Sequence, residues 1–109
     1  MATAYKVLGQ SAPSATTNTS LYTVPSATET VISTISVCNR SATAATFRIA
    51  VRPDGATLAN EHYVAYDAAI AGNDTLFLTV GATANASDVV TVYGSTANLS
   101  FTAFGSEIS

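Results

Sequence analysis

Apolar and polar residues alternate in short runs from one end of the chain to the other, and no ten-residue stretch keeps a helical period. A two-residue period is the mark of a half-buried strand. Eight such runs stand out, at residues 4–8, 21–24, 30–39, 46–52, 61–66, 75–80, 89–93 and 99–104. Turn residues separate them. Gly9 is expected to end the first run, and Pro25, which lacks a backbone N–H, stops the second. Pro53-Asp54-Gly55 and Ala71-Gly72-Asn73-Asp74 carry turn chemistry, residues 81–88 read as a loop, and Gly94-Ser95-Thr96 divides the last two runs.

Strict alternation assigns faces. In the longest run, 30–39, it places Val31, Ile35 and Val37 on one side and Ile32 and Cys38 on the other with Thr34 and Ser36, as for a central strand covered on both sides. In 46–52, Phe47, Ile49 and Val51 point to a core while Arg48 and Arg52 share the opposite face, about 13 Å apart at the usual strand rise. Leu76, Leu78 and Val80 share a face in 75–80. The Ser, Thr, Ala and Pro stretch over residues 10–20 reads as a flexible arm or long loop. Strands at this spacing predict an all-β chain: a single antiparallel β-sandwich of about eight strands forming one domain over residues 1–109. Jelly-roll and Ig-like topologies remain open, because turn positions do not disclose strand order.

Composition narrows the functional classes. Ala, Thr and Ser fill 49 of the 109 positions (20, 17 and 12), and only eleven residues are Lys, Arg, Asp or Glu, so little ionisable material is present for a catalytic site. Thr supplies β-propensity on exposed faces, in agreement with the pattern. The net charge of −3 provides no basic stripe to neutralise phosphates, and nucleic acid is not an expected partner. The opening residues, from Ala2 to Lys6, lack the apolar core of a secretory signal, and no window has the ~20 apolar residues that cross a bilayer as a helix. A cytoplasmic start and no membrane insertion are the expectations. The one cysteine, Cys38, lies in an apolar run and is expected to be buried.

Candidate chemistry is sparse. His62 follows Glu61 on a run expected to be a strand, where neighbours point to opposite faces and cooperate poorly, so no catalytic residue is assigned and the chain reads as no enzyme. One Cys and one His leave metal binding to carboxylates, but Asp54, Asp67, Asp74 and Asp88 are read as separate turn residues. No metal or cofactor is expected. The residues expected to serve an interface are Arg40, Arg48, Arg52, His62, Tyr63 and Tyr66. Arg40, at the end of the longest run, has a fork of donors suited to clamping a loop carbonyl.

Three stretches, Leu21-Tyr22-Thr23-Val24-Pro25, Val37-Cys38-Asn39-Arg40 and Phe101-Thr102-Ala103-Phe104-Gly105-Ser106-Glu107-Ile108, resemble small virion proteins of tailed bacteriophages, including those of cyanobacteria. The resemblance implies a non-enzymatic structural protein located in the virion and assembled in the host cytoplasm. It further implies a capsid decoration (cement) protein that binds the outer shell as an oligomer. The partners would be the major capsid protein or other virion proteins, with a homo-oligomer, a trimer or a dimer. A tail, neck or fibre component contacting the host surface is the alternative.

Overall fold

Each of the eight runs becomes a strand in the computed structural model, which describes residues 2–109. The strands are β1 (Thr3–Ser11), β2 (Thr19–Thr23), β3 (Glu29–Asn39), β4 (Ala45–Arg52), β5 (Tyr63–Ile70), β6 (Thr75–Ala84), β7 (Val89–Gly94) and β8 (Leu99–Ile108). Two antiparallel four-stranded sheets, ordered β1-β8-β3-β6 and β2-β7-β4-β5, form an all-β sandwich. First pairs with last throughout: β1 with β8, β2 with β7, β3 with β6, β4 with β5. The chain is thus one long hairpin with its tip between β4 and β5, rolled so that β3 also meets β8 and β4 also meets β7. That order is the double Greek key of a jelly roll and resolves the choice against an Ig-like arrangement.

The core lies between the sheets. Phe47 of β4 and Phe101 of β8 meet edge to face across it, centroids 6.3 Å apart, with Ile35, Val37, Ile49, Val92 and Leu99 packed around them. Leu76, Leu78 and Val80 pack against the same cluster, as their spacing predicts.

Several sequence expectations need correction, and bulges account for the most consequential. The register between β3 and both its neighbours slips between Ile32 and Thr34. An extra residue reverses the alternation of side chains, so Thr30 and Ile32 face the core together with Ile35, Val37 and Asn39, whereas Val31 does not. Cys38, with the opposite parity to Val37, is half-buried on the outer side rather than in the core. β1 runs past Gly9 to Ser11, and β6 runs through Gly81, whose φ of +55° lets the strand bend without ending. Residues 60–62 form a 3-10 turn, so Glu61 and His62 precede β5. The expected arm is correspondingly shorter: residues 12–18 form the link from β1 to β2, and the Thr16 N–H donates to the Gly94 carbonyl at 2.8 Å.

Candidate interaction surfaces

The two outer faces of the sandwich differ in chemistry. On the β2-β7-β4-β5 sheet, a bulge builds a cluster around Arg48. Phe47 pairs with Ala68 and Ile49 with Ala65, so Arg48 alone faces two β5 residues, Tyr66 and Asp67. Asp67 holds φ at +49°, a conformation that Asp tolerates better than most residues. Arg48 Nε lies 2.6 Å from Asp67 Oδ1 and Nη2 lies 3.3 Å from Oδ2. Its guanidinium carbon stands 4.2 Å from the Tyr66 ring centroid and 4.3 Å from that of Tyr93, its partner on β7. The hydrogen bond to Asp67 raises the Arg48 pKa further, so the cation is permanent. Tyr63 meets Tyr66 edge to face at 4.8 Å, and both rings, with Asn60, line an open hollow. An arginine between two rings is a rigid platform, with charge and aromatic area both fixed.

The remaining expected interface residues are placed elsewhere or are occupied within the chain. Arg52 Nε donates to Thr91 Oγ1 at 3.0 Å and Nη1 to the Ala56 carbonyl at 3.0 Å, so it fastens the turn after β4. Arg40 Nη2 donates to the Ala97 carbonyl at 2.8 Å, holding the link between β7 and β8. His62 Nδ1 accepts the Ala59 N–H at 3.0 Å inside the 3-10 turn. Of the six, Arg48, Tyr63 and Tyr66 come together. The sequence pattern assigns Asp67 to a turn; it lies in the β5 bulge instead and completes the cluster. Asp88 does serve turns, accepting N–H groups of Asp54 and Asn85, each at 2.8 Å.

The outer face of the β1-β8-β3-β6 sheet has another character. Register defines its cross-strand rows: Tyr5, Ser106, Val31 and Thr83; then Val7, Phe104, Thr34 and Thr79; then Gln10, Thr102, Ser36 and Phe77; then Ser100, Cys38 and Thr75. These fifteen positions carry no formal charge, and the end row of the same face, Thr3, Ile108 and Glu29, adds one exposed carboxylate. Lys6 and Glu107, on two of the same strands, turn away from this face and pair with each other at 2.8 Å. Tyr5 and Phe77 are 85% and 69% exposed, so the face offers aromatic rings on a field of hydroxyls and methyls. Periodicity in the sequence did not disclose the uniformity of this face, because the β3 bulge changes which residues share it.

Among the described residues, no group of three or more His, Cys, Asp or Glu side chains is arranged to hold a metal ion. No helix among them is long and apolar enough to cross a membrane. Comparison of the chain with protein-family models, curated proteins and solved structures gives no match.

Proposed function

We propose that this chain is a non-enzymatic structural protein of a phage virion, a capsid decoration protein that binds the outer shell as an oligomer. The observation that carries this reading is the outer face of the β1-β8-β3-β6 sheet, whose central rows are uncharged and which bears a single charge, Glu29, in its end row. A partner docking on the central rows desolvates no charge, which is the costly part of burying polar surface. Ser, Thr and Ala side chains have few rotamers to lose, so ordering them costs little compared with long charged chains. On a shell, each copy meets symmetry-related neighbours, so modest contacts sum to firm attachment. Jelly rolls occur in viral capsid and lectin domains, an analogy of fold that agrees with this role without assigning it.

The Arg48 cluster favours a second reading, a tail, neck or fibre component that contacts the host surface. Tyr63 and Tyr66, held edge to face over an open hollow, present ring surface on which a sugar can stack.

Immunogold electron microscopy of purified particles, with antibody to the recombinant protein, separates the readings. Label over the head shell supports decoration; label on neck, tail or fibres supports host contact; intact particles without label overturn both. For decoration, Thr102→Lys places a charge in the uncharged central rows and is expected to weaken capsid association at least tenfold. Tyr66→Ala is expected to leave that association unchanged.

A further inference from the structure

We propose that β6 pairs antiparallel with β6 of a second copy, joining two β1-β8-β3-β6 sheets into one eight-stranded sheet with a continuous outer face. The proposal deepens the decoration reading, on which it rests, by naming the contact through which copies associate.

The sandwich has four edge strands, β1, β6, β2 and β5. An edge strand presents unpaired backbone groups, and proteins guard it with charge, proline, bulges or brevity. β1 has Lys6 turned inward and a register break between Val7 and Gly9. β2 is five residues long with a break of its own. β5 is bent by the bulge at Tyr66 and Asp67, where Asp67 adds a charge. β6, Thr-Leu-Phe-Leu-Thr-Val-Gly-Ala-Thr-Ala, has neither charge nor proline over ten residues. From Thr75 to Thr79 it keeps regular register with β3, and the bend at Gly81 comes only afterwards. β6 carries a break of its own around Gly81, but its Thr75–Thr79 stretch is regular and free of charge and proline, and such an edge is built to be paired or is a liability.

The neighbouring surface is complementary to a second copy of itself. Leu76, Leu78 and Val80 face inward and are only partly buried, because nothing flanks them on the outer side of β6. An apolar slot of about 110 Å³ opens between the sheets on this side, lined by Val80 and Ala82 of β6, Val64 of β5 and the core residues Ile32, Ile35 and Val90. Val64 is 58% exposed at that slot. A second β6 lays its own Leu76, Leu78 and Val80 alongside the first set and closes the opening. A two-fold axis near Phe77 or Leu78 keeps each face on its own side, since opposed residues of antiparallel strands point the same way. It also brings the two exposed Phe77 rings to opposed or diagonal positions, within reach of each other. No ionisable side chain on either β6 opposes another. With the two-fold at Phe77 or Leu78, residues 75–79 or 75–81 of the two strands oppose one another, and a strip of about 17–23 Å by the smallest molecular extent of 19 Å amounts to roughly 650–900 Å² over both copies, the size of a weak, concentration-dependent contact.

The test is analytical ultracentrifugation of the intact chain over a range of concentrations. The wild type is expected to pass from monomer to dimer as concentration rises. Phe77→Glu and Phe77→Lys each place like charges together at the two-fold and are expected to raise the dimer Kd at least tenfold, while an equimolar mixture of the two restores dimers. Phe77 is largely exposed, so both variants should melt close to the wild-type temperature, which separates loss of pairing from loss of fold. Thr79→Lys is an independent second block on the same edge. A wild type that stays monomeric, one that forms a trimer, or a dimer indifferent to all three substitutions overturns the proposal. Head-shell label from a protein that is monomeric in solution overturns the edge pairing while sparing decoration. A charge-sensitive dimer with no label on particles does the reverse.

Discussion

The Tyr22 hydroxyl donates to a carboxylate oxygen of Glu107 at 2.5 Å, joining two residues 85 positions apart and tying one sheet to the other. Tyr22 also bonds Thr30 Oγ1 at 2.8 Å, and Lys6 Nζ reaches the other Glu107 oxygen at 2.8 Å. Four residues from β1, β2, β3 and β8 thus close the end of the sandwich beside the small cluster of Tyr22, Val24 and Ala84. Every partner is satisfied, which is the condition for such a network to stabilise.

The network makes acid stability depend on Glu107. The Lys6 ammonium first, and the Tyr22 hydroxyl second, hold its carboxyl below the ordinary value of 4.5. A lowered folded-state pKa contributes stability above the unfolded value and loses it as pH falls through the folded value. Wild-type stability should therefore decline as pH drops below about 4.5. Glu107→Gln is expected to be less stable at pH 7 by roughly 1–3 kcal/mol and to lose this part of the acid dependence. Urea unfolding at a series of pH values measures both.

At the alkaline end the sign reverses. Burial above all, and then donation to Glu107, push the Tyr22 pKa up to about 12 from 10.0. A raised folded-state value gives stability that is complete below pH 10 and is lost as pH climbs toward 12. Tyr22→Phe should abolish that loss, which is on the order of 2 kcal/mol. The comparison of wild type and variant across this range by denaturant titration is the check.

Asn39 is the polar hub at the opposite end of β3. Its side chain is 1% exposed, donates to the Thr43 and Ala71 carbonyls at 2.9 and 3.3 Å, and accepts the Ser41 N–H at 3.0 Å. It therefore holds the β3–β4 link against the β5–β6 turn. Asn39→Ala strands all three backbone groups, and a loss of roughly 2–4 kcal/mol is expected, with Asn39→Asp retaining only the accepting bond. Thermal unfolding ranks the three proteins.

Gly105 of β8 packs so closely on β3 that a Cβ there would overlap the Val31 carbonyl oxygen. The obstacle is backbone, which cannot swing aside, and it lies next to the β3 bulge. Gly105→Ala is expected to cost about 1–3 kcal/mol through displacement of the paired strands. Gly81→Ala meets nothing within 4 Å; its cost comes from positive φ alone and should be about 1 kcal/mol. Paired melting curves distinguish crowding from backbone strain.

The sequence by itself determined the strands. Period-two alternation and turn residues located all eight, and Phe47, Ile49, Leu76 and Leu78 were legible as core-directed because no bulge intervenes within their runs. Tertiary structure alone decided what shares a face and what meets across the fold. One inserted residue near Ser33 reverses the parity of β3, which moved Val31 to the outer side and Ile32 to the core, while Cys38 faces outward by its ordinary alternation with Val37. One inserted residue in β5 aimed both Tyr66 and Asp67 at Arg48, turning a strand arginine into the centre of a cluster. The pairing of first strand with last, which brings Tyr22 to Glu107, likewise has no local signature. Alternation is enforced by neighbouring residues and can be read along the chain. Bulges and strand order are set by contacts between residues distant in sequence, whose free energy exists only once the sheets are assembled.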